Sequence, residues 1–249
     1  MLHQITPNIY VSDNEESNDR PRLGYVRGTR FAIMIDAGNS PAHAQLFLSE
    51  LKKLDLNDPD FVILTHWHWD HVYGLCQLDM PSICSAKTQA RLITMSNWKW
   101  DPISMQTRLI RGEDIQFCDA CIKVEYEDPR TIQVKTADII FDKFLNMDLG
   151  DLSCLFLRLD NDHAEDSTIV FIPEEQLIFL GDITSPNYHD GAEHYTLEGI
   201  TKLMDALNEL NFDKAIHGHT DVMSKQEWMD FLQEEKNKLR CNSVNKDLR

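Results

Sequence analysis

The amino-acid sequence predicts an α/β fold, an αββα four-layer sandwich in which two mixed sheets pack together and helices cover their outer faces. Two observations favour this architecture. Each half of the chain passes from strand-like runs to helical ones, and side chains that can bind a metal follow several of the strand-like runs. In α/β proteins such side chains gather at the carboxyl ends of strands. No repeat or Gly/Ser-rich linker interrupts the 249 residues, so we expect a single domain over 1–249.

The first half begins with strands and one helix. Apolar runs predict strands over residues 8–11, 24–27, 31–35 and 61–64. Before the last of these strands, Ser40 provides a helix N-cap and Pro41 a first-turn proline, and the apolar residues that follow have helical spacing. The run over 61–64 is apolar throughout, as expected of a buried strand.

The middle of the chain is richer in strands, and its end is helical. Alternating or continuous apolar runs predict strands over residues 115–126, 131–134, 138–141, 154–159, 168–172, 176–180 and 213–216. The segment Pro173–Glu175 predicts a hairpin turn between two of them. Apolar residues that share a helical face predict one helix over 200–210 and a second one that includes Trp228 and Leu232.

A cluster of metal-binding residue types follows the buried strand over 61–64. Four of the six residues from 66 to 71 can bind a metal: His66, His68, Asp70 and His71. Imidazoles two positions apart on an extended segment point to the same side, so His66 and His68 can share one ion. Without a metal, so many crowded polar rings would lack hydrogen-bond partners. The cluster therefore predicts a metal site.

One loop cannot complete two coordination shells, so we expect further ligands from other strand ends. His163, Asp182 and His219 each follow a strand-like apolar run. Singly, each of these residues has a structural interpretation that is equally good. Their repeated placement beside the first cluster favours metal binding. Imidazole and carboxylate ligands suit Zn²⁺, with Fe and Mn as the alternatives.

The segment from Thr65 to His71 contains the complete H-x-H-x-D-H motif, and on this motif the chain resembles the metallo-β-lactamase superfamily from about Ile5 to its last helix. The resemblance implies two divalent metal ions joined by a bridging Asp182. It implies the following ligands: His66, His68 and His163 for one ion, and Asp70, His71 and His219 for the other. The family usually has a proline before its last Gly-His, where this chain has His217. His217 therefore competes with His219 as a ligand, and the resemblance favours His219.

These ligands predict a metal-dependent hydrolase. Two ions bound close together would share a hydroxide, because metal binding lowers the pKa of water to about 7. Asp70 or Asp182 would carry a proton to the leaving group. In lactonase-like relatives a tyrosine near this position assists the substrate carbonyl, which makes Tyr188 and Tyr195 candidates. Trp67 and Trp69 are expected to brace the loop, with a place in the substrate cleft as the alternative.

The superfamily contains several activities, and some are disfavoured here. Many true β-lactamases have cysteine or serine where this chain has Asp182, and glyoxalase-II-like thioesterases add a carboxyl-terminal helical domain. What remains is a hydrolase of a small-molecule ester, lactone or thioester. An iron-dependent oxidoreductase or sulfur dioxygenase of the same fold stays open, as does a non-catalytic binding or regulatory protein.

The composition of the chain limits the classes of binding partner that are expected. The chain has 41 acidic and 24 basic residues and a net charge of −17, so a nucleic-acid partner is not expected. No stretch resembles a signal peptide or a membrane span, which predicts a cytoplasmic protein without membrane contact. The six cysteines do not form a disulfide framework, and Cys118 and Cys121 are expected to be structural thiols in a strand. A small-molecule substrate is the expected partner, and a homodimer stays open.

Overall fold

The first sheet follows the order of the chain. The computed structural model describes the backbone of residues 1–247 and the side chains of residues 1–241. Within that part, the first sheet has seven strands: β1 (Leu2–Thr6), β2 (Ile9–Ser12), β3 (Gly24–Arg27), β4 (Ala32–Ile35), β5 (Phe61–Ile63), β6 (Ser82–Ser85) and β7 (Ile139–Phe141). Strands β1 to β4 pair antiparallel, whereas β4 to β7 pair parallel, so the sheet is mixed.

The second sheet continues from the edge of the first. Its described strands are β8 (Phe144–Asp148), β9 (Ser153–Arg158), β10 (Thr168–Ile172), β11 (Leu177–Gly181), β12 (Lys214–His217) and β13 (Met223–Ser224). They lie in the order β13-β12-β11-β10-β9-β8. The one parallel pair, β11 with β12, is the pair that a helix connects, as parallel crossovers require.

Helices cover the outer face of each sheet. Those in the described chain are α1 (Pro41–Lys53), α2 (Trp69–Val72), α3 (Ala86–Met95), α4 (Pro102–Arg111), α5 (Gln116–Glu125), α6 (Leu197–Glu209) and α7 (Lys225–Asp247). Helices α1 to α5 contribute buried residues to the core on the first sheet, and α6 and α7 do so on the second. The N-cap predicted at Ser40 is present, because its hydroxyl accepts the His43 N–H at 3.0 Å.

Alternation along the strands produces the layers. In β4, Ile33 and Ile35 point into the core between the sheets, whereas Met34 points towards the helices. The core between the sheets also receives Phe156 and Phe179 from the second sheet. Two mixed sheets thus pack face to face with helices outside, and the predicted αββα sandwich is confirmed. The prediction of a single domain over 1–249 stays a prediction.

Two predicted strands of the middle region are wrong. Within the segment 115–126, residues Gln116–Glu125 form helix α5. Residues 131–134 contain the end of a short 3-10 helix, Pro129–Thr131, followed by irregular chain. In α5 the buried residues Cys118, Cys121 and Ile122 recur at helical spacing and pack under the first sheet. Short apolar runs do not distinguish a strand from a buried helix segment, which explains the error.

The remaining predicted strands and both carboxyl-terminal helices are present with small shifts of their ends. The turn Pro173–Glu175 connects β10 and β11, which pair antiparallel as predicted. Among the described residues, no helix combines the length and the apolar character that crossing a membrane requires.

Candidate metal centre

Three histidines converge at the carboxyl ends of β5 and β9. His66 and His68 follow β5, and His163 lies in the loop after β9. The Nε2 atom of His66 lies 3.0 Å from His68 Nδ1 and 3.2 Å from His163 Nε2. The other ring nitrogen of His163 donates to the Pro186 carbonyl at 3.0 Å, so the Nε2 of His163 keeps its lone pair for the centre. We call these three residues the histidine group.

Four further side chains form a second group beside the first. Asp70 and His71 lie in α2, Asp182 follows β11, and His219 follows β12. One Asp70 oxygen lies 2.9 Å from His71 Nε2 and 3.1 Å from His219 Nε2. An Asp182 oxygen lies 3.2 Å from the same His219 nitrogen. Within each group the donor atoms lie within 4.8 Å of one another. We call these four residues the carboxylate group.

A buried aspartate orients the carboxylate group from behind. Asp36, directly after β4, accepts the His71 Nδ1–H at 2.8 Å, and this bond leaves His71 Nε2 facing the site. Asp36 also accepts the backbone N–H of Thr65 at 2.7 Å and the Thr65 hydroxyl at 2.8 Å. Thr65 starts the loop that carries His66 and His68. The Asp36 carboxylate therefore fixes both the start of the metal-binding loop, at Thr65, and the ring of His71.

Close packing at Gly218 brings β12 against the site. A Cβ atom at this position would collide with the Asp182 carboxylate and lie 3.1 Å from His71 Cε1. Glycine is therefore required where the backbone passes the carboxylate group. This packing places His219, the next residue, over Asp70 and Asp182.

The donor atoms fit divalent metal ions. His66 Nε2 and His163 Nε2 lie 3.2 Å apart, a separation that suits two ligands of one cation. Asp182 Oδ1 is buried and has no hydrogen-bond partner. Buried polar atoms without partners are costly unless they coordinate a metal. Imidazole with carboxylate is a ligand set for Zn²⁺, Fe or Mn.

The histidines of the two groups differ in the direction in which their pKa values are shifted. Burial lowers the pKa values of His66 and His68 well below the ordinary value, so both rings are neutral at pH 7. Burial opposes protonation of His71 as well, but the Asp70 and Asp36 carboxylates outweigh it and raise its pKa well above the ordinary value. The carboxylates of Asp182 and Asp70 likewise outweigh burial at His219 and raise its pKa. Protons therefore occupy the carboxylate group in the absence of metal.

The two groups are expected to release different numbers of protons when a metal ion binds. The histidine group is already deprotonated near pH 7, so an ion that binds there displaces almost no protons. An ion in the carboxylate group displaces protons from His71 and His219, about two per ion. Affinity at the carboxylate group is therefore expected to fall as the pH drops, by up to about 100-fold per pH unit, whereas affinity at the histidine group changes little.

Proton release measured with a pH indicator during stepwise addition of Zn²⁺ to weakly buffered protein checks this expectation. His219→Ala is the matched variant, because it removes one of the two titrating rings and should release one proton fewer. Equal release for both equivalents of Zn²⁺ would contradict the assignment of protons to the carboxylate group.

Five of the seven residues of the two groups line a cavity of about 680 Å³: His68, Asp70, His163, Asp182 and His219. Ile115, Phe117 and Cys118 from the start of α5 form an apolar side of this cavity. The opposite side comes from the loop after β11, and acidic residues from the loop before β3 complete the lining. The cavity residues of these two loops are the following: Glu16, Asp19, Ser185, Tyr188, His189 and Glu193.

The two candidate tyrosines differ in position. Tyr188 lines the cavity, with its ring centroid 6.1 Å from that of His163. The hydroxyl of Tyr195 donates to the Thr184 carbonyl at 2.9 Å, and its ring packs against the core under the second sheet. The structure therefore brings Tyr188 to the cavity and directs Tyr195 away from it.

The two candidate tryptophans lie behind the metal-binding loop. Trp69 is buried against Tyr73, with ring centroids 5.9 Å apart. The ring centroids of Trp67 and His68 lie 4.6 Å apart, and the Arg91 guanidinium lies 5.1 Å from the Trp67 ring centroid. Neither indole lines the cavity. These positions fit the prediction that both brace the loop.

The structure separates His217 from His219. The His219 ring lies within the carboxylate group, whereas His217 is outside both groups. The His217 ring stacks on Trp228 with centroids 5.3 Å apart, and burial lowers its pKa to about 4. Its Nδ1 atom is 4.0 Å from the nearest Asp182 oxygen. Of the two competitors, His219 thus has the position of a ligand.

Several site residues were missed by the sequence reasoning. Asp36 ends an apolar strand, as the predicted ligands do, so the same signal could have found it. Asp19 lies 3.8 Å from His219 Nδ1, and burial together with Asp70 raises its pKa to about 7. It comes from an irregular loop without any pattern. Cys118 and Cys121 are buried free thiols with raised pKa values, but they lie in a helix rather than a strand.

Comparisons with known proteins agree with this geometry. Residues 23–79 match the model of the metallo-beta-lactamase superfamily, a range that includes the whole H-x-H-x-D-H motif. No curated protein matches the chain in sequence.

Solved structures match almost the whole chain. A stereoselective inverting sec-alkylsulfatase from Pseudomonas sp. is 14% identical with a TM-score of 0.69, and the match covers 98% of this chain but 43% of that protein. A metallo-beta-lactamase from Pontibacter korlensis is 15% identical with a TM-score of 0.63 and coverages of 94% and 98%.

A mutant metallo-beta-lactamase from Cronobacter sakazakii is 16% identical with a TM-score of 0.69, and the match covers 100% of this chain and 99% of that protein. At such low identity these likenesses show the fold. The family model matches residues 23–79, and the solved structures share the fold of almost the whole chain; together they confirm the resemblance to the metallo-β-lactamase superfamily.

Proposed function

We propose that the chain is a dinuclear metal-dependent hydrolase of a small-molecule ester, lactone or thioester, and that its substrate is neutral or positively charged. The observation that carries the proposal is the convergence of seven histidine and aspartate side chains in two adjacent groups, both of which contribute residues to the lining of one cavity. Two such groups side by side are what a pair of catalytic ions requires.

The residues of the cavity have distinct tasks in this reaction. Two bound divalent ions would lower the pKa of a water molecule to about 7 and thereby supply hydroxide at neutral pH. Asp182 lines the cavity, and its Oδ1 atom has no hydrogen-bond partner, so it is placed to accept a proton and pass it to the leaving group. The apolar side formed by Ile115 and Phe117 suits a hydrocarbon part of the substrate.

The charge of the cavity limits the substrate. Glu16, Asp19 and Glu193 line it in addition to the carboxylate group, and no lysine or arginine of the described chain does so. An anionic substrate would meet these carboxylates without a cationic side chain to pair with it. Sulfate esters, phosphodiesters and nucleic acids are therefore disfavoured, in agreement with the net charge of −17.

A panel of substrates tests the proposal. Metal-loaded protein of measured metal content is assayed with a neutral lactone, a neutral thioester, a choline ester, an alkyl sulfate and a phosphodiester. We expect turnover of at least one neutral or cationic ester, and none of the alkyl sulfate or phosphodiester. Preferred cleavage of the two anionic compounds would contradict the substrate assignment.

Metal analysis combined with oxygen uptake separates this proposal from an iron-dependent oxidoreductase of the same fold. We expect ester hydrolysis without oxygen consumption, and with Zn²⁺ as the metal that supports it. A non-catalytic binding protein would show no turnover with any compound of the panel. The complete set of donors and the open cavity above it favour an enzyme.

Neutralising one cavity carboxylate is expected to change charge selectivity. In Glu193→Gln the kcat/KM for the choline ester should fall by about threefold, while that for a neutral ester stays constant, because exposed charges act weakly over a distance. The effect should shrink as salt is added. Glu234→Gln is the matched control, since Glu234 is an exposed glutamate of α7 outside the cavity. Equal changes in both variants would contradict a role of the cavity charge.

A further inference from the structure

His217 occupies the position before Gly218-His219 where the family usually has a proline, and it is not one of the grouped donors. Its ring is 3% exposed and stacks on Trp228. A buried imidazole must satisfy two ring nitrogens. The partners of these two nitrogens determine what His217 does.

The first partner is a backbone amide. The N–H of His219 donates to His217 Nδ1 at 3.0 Å. A ring nitrogen that accepts an N–H bond carries no proton, so the ring holds its single proton on Nε2. The geometry thus selects one tautomer of His217 without reference to any metal.

The second partner is a hydroxyl in the cavity wall. The Nε2 atom of His217 lies 3.2 Å from Ser185 Oγ, and with its proton it acts as the donor. A serine hydroxyl has one hydrogen to donate and two lone pairs. Because one lone pair accepts from His217, and Oγ has no other hydrogen-bond partner among the described residues, the hydroxyl hydrogen is available to a molecule in the cavity. Ser185 lines this cavity together with Asp182 and His163.

We propose that Ser185 binds the substrate by donating its hydroxyl hydrogen to the carbonyl oxygen on which negative charge develops, and that His217 is a positioning residue that orients this hydroxyl. This inference rests on the proposed hydrolase function and adds a hydrogen-bond donor from the protein to it. Such a donor acts mainly in the transition state, and its loss lowers kcat by about 100-fold.

Kinetics of single and double variants test the donor. With 4-nitrophenyl acetate and the Zn²⁺-loaded protein, Ser185→Ala should lower kcat by about 100-fold, with a smaller change in KM and unchanged metal content. Ser185→Thr keeps a hydroxyl and should recover most of the activity. Undiminished kcat in Ser185→Ala would overturn the proposal.

The positioning role predicts coupling between the two residues. His217→Phe keeps a flat ring against Trp228 but cannot donate to Ser185, so it should also lower kcat. Combined with Ser185→Ala it should cause no further loss, because the hydroxyl that it orients is already absent. A full additional loss in the double variant, accompanied by a lower melting temperature, would show that His217 acts only structurally.

The tautomer has a readout that is independent of activity. In ¹⁵N-histidine-labelled Zn²⁺ protein, the ring signals absent from His217→Phe belong to His217. We expect a proton on Nε2 and none on Nδ1, and the opposite tautomer or a doubly protonated ring at neutral pH would overturn the proposal. If no ester is hydrolysed at all, the hydrolase function fails, whereas the NMR signals still decide whether His217 orients Ser185.

Discussion

Replacement of His68 by alanine is expected to remove metal from the histidine group and to lower hydrolysis by about 1,000-fold or more. The reason is geometric. His68 Nδ1 lies 3.0 Å from His66 Nε2, so it is one of only three donors in this group, and two imidazoles do not hold a catalytic ion tightly. Asp182→Ala should have a comparable effect, because it removes one of the four donors of the carboxylate group.

The fold should survive the loss of His68, since the packed cores lie elsewhere. Metal content by atomic emission, melting temperature and turnover are measured on the same preparation. His194→Ala is the matched control: it removes a histidine of the cavity-lining loop that belongs to neither group, and it should leave all three quantities unchanged. Full activity of the His68→Ala protein, or of chelated wild-type protein, would refute the assignment.

The second large effect is expected at Asp36, which does not face the cavity. Asp36→Asn should weaken metal binding at the carboxylate group by about 10- to 100-fold, because the ring of His71 loses its charged partner. Asparagine is the suitable replacement, since Asp36 has φ 60° and asparagine tolerates this left-handed conformation. Asp36→Ala would also leave the buried Thr65 N–H without a partner, which costs about 1–3 kcal/mol.

A matched control exists at another strand end. Asp138 accepts the Ser82 N–H at 2.9 Å and the Ser82 hydroxyl at 2.7 Å, much as Asp36 accepts from Thr65, but it has no histidine partner. Competition with a Zn²⁺ chelator compares the variants. Asp138→Asn should keep wild-type affinity, and equal affinities of Asp36→Asn and wild type would contradict the orienting role of Asp36.

The sequence predicted the centre better than its surroundings. His66, His68, Asp70 and His71 follow an apolar strand within six positions, and a local pattern of this kind is readable without a fold. His163, Asp182 and His219 are recognisable because each follows a strand-like run. Their mutual proximity depends on the order of strands in two sheets, which periodicity does not determine.

Residues that act through others were harder to find. Ser185, in the loop after β11, is linked to His217, at the end of β12, by one hydrogen bond. Asp19 approaches His219 from an irregular loop. Helix α5 was predicted as a strand because its apolar run is short and its apolar residues partly alternate with polar ones. The apolar side of the cavity, to which Ile115 and Phe117 of this region contribute, could therefore not be predicted from the sequence.

Stepwise addition of Zn²⁺ to metal-free protein, with bound metal and hydrolysis of a neutral ester followed together, tests the central claim most directly. We predict two ions bound per chain, with turnover absent from the metal-free protein and rising to its maximum as the second ion binds. Full turnover in metal-free protein, or saturation of binding at less than one ion per chain, would contradict it.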